Sequence, residues 1–512
     1  MKDTIILILP DAKGEGFMPP YAFLYLERAI RDLSLNVIII DERFDDDWKE
    51  ILISNAQRLM LVGLSVAIGN QLISAIKISD FIKNQLNVPV IWGGWLPTWK
   101  PELCLSHPLI DFVAVGQGEL IFSKLVTTLI KQNLNNASES FSEIPGLGYK
   151  VNDKMFINHS HKHLNYSDFP PVNLSLINIK QYTLYSKNKK SKSFHYFASY
   201  GCPYRCNFCF PEMEWRGKWF HNEIKIIINE LRHIVNEANG INYIIFDDIN
   251  FFGNRAFVMN LCRELIKNEF HFQWNASGHI KNILYDYSYE DLEIIKQAGC
   301  ESVFVGAESG DQRVLDKLNK DLTVDEIIAF VKKMHHAQIK NSCSFMVFFP
   351  ENACTDFKLT IKLVMRLMTI SPYFHYAIHY YFPARTNYYY KKASEFGFSI
   401  PDNLEDLSVF FKKDINYRWH KDYYLKLFKY YGMYYLRFYK LNDTNIKTKY
   451  KFLNSLIYKI SWPFIRVRFF FNYFGFPLGG WLYCDVLFKN MVDKYFFTDP
   501  NDRFFIGRIK NS

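Results

Sequence analysis

Two long stretches of this 512-residue chain alternate short apolar runs with helical stretches, and that alternation sets the fold before any single residue does. In the first stretch the runs are 5–9, 36–40, 59–65, 88–93 and 112–116, with helices at 20–33, 71–86 and from Glu119. Strands this short and this apolar have both faces covered, the condition of a parallel sheet between helix layers. Six further runs follow at 193–201, 243–248, 272–277, 302–309, 342–350 and 375–383. Helices such as 222–237 and 323–337 separate them, which predicts a parallel (β/α)6 partial barrel. The expected fold class is therefore α/β. A Rossmann-like doubly wound sheet spans 1–140, a polar linker 141–190, a partial TIM barrel 191–400 and a mostly helical, aromatic-rich region 401–512. In both sheets ligands belong at the carboxyl ends of the strands.

Composition narrows the class. With 49% hydrophobic and 22% charged residues, the chain is globular rather than disordered. A net charge of +9 is small for this length and points to no nucleic-acid partner. Nine cysteines are odd in number and sparse, so a disulfide scaffold is not expected. The N-terminus runs straight into a strand rather than a signal peptide, and no apolar run reaches 18 residues. A reducing cytoplasm is the expected location.

Three of the cysteines fall within eight residues, in Gly201-Cys202-Pro203-Tyr204-Arg205-Cys206-Asn207-Phe208-Cys209. Thiolates are soft ligands that select zinc or iron–sulfur. Three on one loop hold three corners of a cubane and leave one iron open. A structural zinc site wants a fourth ligand, for which His221 is a candidate. The strand ends of the second repeat are polar as well. Asp247 and Asp248 close one, Asn275 and Ser277 the next, and Glu308 and Ser309 the fourth; Pro350-Glu351 follows the fifth. Asp247 and Asp248 read as candidate catalytic residues beside cofactor or substrate, or as a helix cap or turn. His279 reads as substrate-facing or as a surface residue. Cys300, Cys343 and Cys354 lack ligand spacing and read as buried thiols. Cys343, on the fifth strand, is also a candidate catalytic thiol.

The Cys-x3-Cys-x2-Cys spacing, with an aromatic residue before the third cysteine, resembles the radical SAM superfamily. The resemblance implies that Cys202, Cys206 and Cys209 ligate a [4Fe-4S] cluster beside Phe208, and that S-adenosylmethionine chelates the open iron. One electron then cleaves the sulfonium to methionine and a 5′-deoxyadenosyl radical. Gly306-Ala307-Glu308-Ser309-Gly310, followed by Lys317-Leu318-Asn319-Lys320, resembles the family's Gly-x-Glu-Ser segment. It implies that Glu308 and Ser309 hold polar groups of the cofactor. Pro350-Glu351-Asn352 lacks the family's glycines there, so altered substrate-side geometry is expected.

The first stretch resembles the cobalamin-binding domain that precedes many radical SAM enzymes, through Pro19-Pro20, Ser65, Gly93-Gly94 and Gly116-Gln117-Gly118-Glu119. The resemblance implies corrinoid contacts at Ser65, Gly93, Gly94, Gly116, Gly118 and Glu119. The cobalt-ligating Asp-x-His-x-x-Gly loop is replaced by Asp11-Ala12-Lys13-Gly14-Glu15-Gly16, so no protein imidazole is expected under the metal.

The expected function is a cobalamin-dependent radical SAM enzyme that methylates a carbon or phosphorus centre of a small-molecule or peptide substrate. Its electrons would come from an external donor of flavodoxin or ferredoxin type. Cyclisation, rearrangement or oxidation, with cobalamin as redox partner or absent, is the alternative. A zinc-stabilised binding protein without turnover is a remoter one. The C-terminal region reads as a cap over the barrel mouth, or as a surface for a membrane or a lipid-like substrate.

Overall fold

The structure is a computed structural model. It describes residues 2–12, 18–131, 137–159, 164–165, 168–186, 191–210, 215, 217–383 and 387–410. Most of the expected C-terminal region, part of the expected linker and the Lys13–Gly16 part of the first loop lie outside the described residues. Two compact units are present. Met1–Ser277, with Gln297–Gly299 and the stretch from Ser399, forms the first. Gly278–Lys296 and Cys300–Phe398 lie in the second.

In the first unit β1 (Thr4–Leu9), β2 (Asn36–Asp41), β3 (Leu59–Ser65), β4 (Val90–Gly93) and β5 (Phe112–Ala114) pair in parallel, in the order β2-β1-β3-β4-β5. This is a doubly wound order, and it reverses at β1/β3. Ile5, Ile6, Leu7 and Ile8 are fully buried because helices cover both faces. The segment expected as a polar linker instead opens with a hairpin. Strands β6 (Leu147–Val151) and β7 (Lys154–Ile157) extend the sheet antiparallel beyond β5. Leu147 and Tyr149 alternate into its core with the period of a strand. Helices Trp48–Asn55, Trp95–Trp99 and Pro101–Ser106 were not expected either.

The second repeat starts in the same unit. Strand β8 (Leu184–Ser186) pairs antiparallel with β9 (Ser191–Tyr196). The single strand expected at 193–201 is broken after Tyr196. A short β10 (Ser199–Gly201) leaves the ladder and pairs antiparallel with β11 (Trp219–His221). Strand β12 (Tyr243–Phe246) lies parallel between β9 and β13 (Gln273–Gly278). Helix Ile224–Glu237 packs Ile227, Ile228, Leu231 and Ile234 inward at helical spacing.

In the second unit β14 (Cys300–Glu308), β15 (Lys340–Val347) and β16 (Phe374–Tyr380) are parallel. Helix Val324–His336, opened by a Thr323/Glu326 capping box, follows β14. Helix Ala353–Ile370 joins β15 to β16. The chain is thus α/β, with six parallel strand–helix repeats after the first sheet, as the spacing predicts.

Candidate active site

The break after Tyr196 builds the cysteine loop. Strand β10 runs directly into Cys202, and Gly201 makes the turn at φ +80°, where a Cβ would stand 2.2 Å from the Lys218 carbonyl oxygen. Only glycine fits there. The start of this segment hangs on Asp248, which is 1% exposed. Its carboxylate accepts the Ala198 amide at 3.2 Å, the Ser199 amide, and the Ser199 hydroxyl at 2.5 Å. Burial nevertheless pushes the carboxyl up to about 7. Asn250, also 1% exposed, points its amide at Cys202 Sγ, 3.8 Å away. Cys206 is buried, and Cys202, Cys209 and Phe208 are half-buried.

Among the described residues no group of three His, Cys, Asp or Glu side chains is arranged to hold a metal ion. Three thiols spaced along one loop suit the corners of a cluster better than the closed tetrahedron of structural zinc. His221 is turned to other work. Its ring packs 4.5 Å from Phe257, and Nδ1 lies 2.8 Å from the Asn222 carbonyl oxygen.

Asp247 is part of a pair that the sequence reading missed. Its carboxylate lies 2.5 Å from His195 Nδ1, with both side chains about one-fifth exposed. The β9/β12 register sets Ile245 beside His195 and Phe246 beside Tyr196, so the pair closes the ends of neighbouring strands. His195 sits one residue from the end of β9, and counting in from that end would have found it.

At the carboxyl edge of the first sheet, Ser65, Gly93, Gly94 and Gly116 come together. Gly94 stands at φ +98°, where a Cβ would be 3.1 Å from the Val66 backbone. Gly116 (φ +89°) and Gly69 (φ +84°) would meet nothing within 4 Å. They border open space, and Gly69 is a further member of this edge. Such a bare cradle, at the carboxyl ends of β3, β4 and β5, fits a flat macrocycle lying on backbone. Gly118 and Glu119 stand apart from it. A Cβ on Gly118 would touch Leu26 at 3.1 Å, and the buried Glu119 faces Arg28 at 3.7 Å. Both pack against the helix Tyr21–Arg28.

In the second unit Glu308 ends β14 at φ +63° and pairs with Lys320 Nζ at 2.8 Å, each residue 7% exposed. Gly306 makes the room, since a Cβ there would stand 2.0 Å from Glu308 Oε1. Three further candidates lie among buried protein groups. Ser309 is fully buried, and its hydroxyl donates to Asp356 at 2.5 Å rather than facing a ligand. His279 is neither at the surface nor in an open site. It is 5% exposed, takes the Lys281 amide on Nδ1 at 3.3 Å and gives Nε2–H to the Lys320 carbonyl at 3.2 Å. Burial, with the Lys320 charge adding, pushes it down to about 2. Cys343 alternates with Asn341, Phe345 and Val347 on the fully buried face of β15, and burial raises its thiol. It is a core residue. Glu351 follows β15 at φ +91°, held by Lys317 at 2.5 Å and the Tyr388 hydroxyl at 2.8 Å.

A strand–helix repeat opened by a three-thiol loop, with a second sheet baring a glycine cradle, defines a cofactor-dependent enzyme built to place two groups. The comparisons say which. Residues 196–364 match the Radical SAM superfamily and residues 10–126 the B12 binding domain. The chain carries a radical SAM domain and a B12-binding domain, with S-adenosylmethionine, a [4Fe-4S] cluster and cobalamin as its cofactors.

The chain is 27% identical to the uncharacterized methyltransferase PH0819 of Pyrococcus horikoshii, over 71% of this chain and 78% of that one. It is 22% identical to the anaerobic magnesium-protoporphyrin IX monomethyl ester cyclase of a Synechocystis, over 68% of each. Its fold is similar to that of the radical S-adenosylmethionine methyltransferase TsrM from Kitasatospora setae (TM-score 0.60, 18% identity, 75% of this chain and 74% of that one). It is also similar to the cobalamin-dependent S-adenosylmethionine radical enzyme OxsB (TM-score 0.60, 19% identity), over 71% of this chain and about half, 52%, of that one. Among the described residues no helix is long and apolar enough to cross a membrane.

Proposed function

We propose that this enzyme is a methyltransferase acting on a carbon or phosphorus centre of a small-molecule or peptide substrate. The observation that carries the reading is the pairing, within one compact unit, of the three-thiol loop and the bare strand-end cradle. Cys202, Cys206 and Cys209 ligate the cluster beside Phe208. Ser65, Gly93, Gly94 and Gly116 would seat the corrinoid. The Glu308–Lys320 pair presents a fixed, nearly dry charge at the end of β14, suited to the polar groups of S-adenosylmethionine. Asp248 and Ser309 act one step back, as positioning residues for the β10 segment and for the loop after β14. The corrinoid supplies methyl-carrier chemistry when bound. The protein would hold both groups in place and exclude quenchers from the site. Electrons come from an external donor of flavodoxin or ferredoxin type, and the enzyme works in the cytoplasm.

A second reading is cyclisation or oxidation without methyl transfer, which the similarity to the protoporphyrin ester cyclase favours. The full chain, reconstituted anaerobically with iron, sulfide and hydroxocobalamin, is given a one-electron reductant and S-adenosylmethionine with a deuterated methyl group. Label in the extracted corrinoid supports methyl transfer. Bound corrinoid that stays unlabelled while 5′-deoxyadenosine accumulates supports the second reading.

A further inference from the structure

The residue after the third cysteine ties the cluster loop to the corrinoid seat. Phe210 follows Cys209, and its ring lies between two tryptophans of the first sheet's edge. Trp95 stacks on it at 5.9 Å between centroids and 13° between planes, and Trp99 meets it edge-on at 5.6 Å and 90°. Both tryptophans belong to the single helical turn Trp95–Trp99, which starts from Gly94. That turn is fastened to all three strand ends of the cradle. The Leu96 amide donates to the Val66 carbonyl at 3.0 Å, beside the end of β3. Thr98 Oγ1 donates to the Gly94 carbonyl at 2.8 Å, after β4, and accepts the Gly116 amide at 3.0 Å, after β5. The turn therefore moves with the cradle or not at all. On the other side, Phe210 follows the cluster ligands without a spacer, so ligation that fixes Cys209 also fixes the Phe210 backbone.

Trp95 is 57% exposed, which is unusual for a residue bound to its neighbour by stacking alone. Its placement is explained if its work is the contact with Phe210 rather than the core of the sheet.

We propose that Phe210, gripped by Trp95 and Trp99, couples cluster loading to corrinoid binding. These are positioning residues. They ensure that the corrinoid is held at its tightest only when the cluster is in place, so that neither group is presented without the other. The inference rests on the reading that the cradle binds a corrinoid. Coupling free energies of this kind correspond to about 5- to 150-fold in affinity, and they are reciprocal. Two aromatic contacts on one ring suggest a factor of about ten.

The test uses the full chain, apo and reconstituted with iron and sulfide, titrated with hydroxocobalamin by visible absorbance. In the wild-type chain, reconstitution should tighten hydroxocobalamin binding about tenfold. By reciprocity, bound hydroxocobalamin should slow loss of iron to a chelator. Phe210→Ala should abolish the difference between the two states, and Phe210→Tyr should restore it. Trp95→Ala serves as the second variant, because truncating an exposed ring leaves no core cavity. Equal affinity in the two wild-type states, or a difference that survives both Phe210→Ala and Trp95→Ala, overturns the coupling and leaves the corrinoid seat standing. No hydroxocobalamin binding in either state overturns the coupling together with the reading beneath it.

Discussion

Asp248→Ala should loosen the cysteine loop without touching a cysteine. The carboxylate receives two backbone amides and one hydroxyl from Ala198 and Ser199, in a place that water does not reach. Removing it strands those donors. The hydroxyl can rotate towards another acceptor, but the two amides cannot. Each buried amide left without a partner costs about 1–3 kcal/mol. A local loss of about 3 kcal/mol follows, close to a 150-fold rise in the open population of this segment. Hydrogen exchange read by mass spectrometry over residues 196–209 measures that opening, because exchange of protected amides tracks the local opening free energy. Exchange there should quicken by about two orders of magnitude, and peptides from the second unit should be unchanged. Iron retained after anaerobic reconstitution should fall in parallel. Asp248→Asn keeps one acceptor oxygen and should fall between the two. Wild-type exchange and full iron in Asp248→Ala would refute the claim that this carboxylate holds the loop.

Burial pushes the Asp356 carboxyl up to about 7, so the folded chain keeps a proton that the unfolded chain releases near pH 4. Its contribution to stability is full below pH 4 and is lost as pH rises through 7, by up to about 1.4 kcal/mol per pH unit. Asp356→Asn should flatten that part of the pH dependence in urea unfolding followed at the second unit; an unchanged slope counts against it. Lys320→Ala leaves Glu308 buried without its cation and should cost about 3–5 kcal/mol. Lys320→Met combined with Glu308→Gln should recover part of that loss, and a double change as costly as the single one contradicts the pairing. His279, pushed down to about 2, should show no titration between pH 5 and 8 by NMR of the carbon-labelled ring; a transition in that range overturns its buried placement.

Much of the fold was legible because periodicity carries it. The third strand was read as 59–65 and is Leu59–Ser65, and every expected strand of the second repeat is present within a few residues. The hairpin at Leu147–Ile157 was not read, because polar residues before and after it hid a short alternating pattern. The break between β9 and β10 is hidden because Tyr196 to Gly201 is uncharged and strand-like throughout, and only the Asp248 contact shows why the chain leaves the ladder. For the candidate site, residue type and spacing pointed to the cysteine loop, the glycine edge and Glu308. They could not separate residues that face a ligand from residues that hold the ones that do. Ser309, His279 and Asp248 all stand at strand ends, as ligand-facing groups would, yet each spends its polar atoms on neighbouring protein groups. Burial and partner geometry decide that question, and neither is written in a local motif. The His195–Asp247 and Phe210–Trp95 contacts join residues far apart in the chain, so only the register and the packing reveal them.

The most direct test of the whole account is a metal and corrinoid count on the full chain after anaerobic reconstitution with iron, sulfide and hydroxocobalamin, with Cys206→Ala alongside. The account predicts about four irons and about one corrinoid per wild-type chain, with the iron lost in the variant. Zinc in place of iron, or iron that remains in Cys206→Ala, would contradict it.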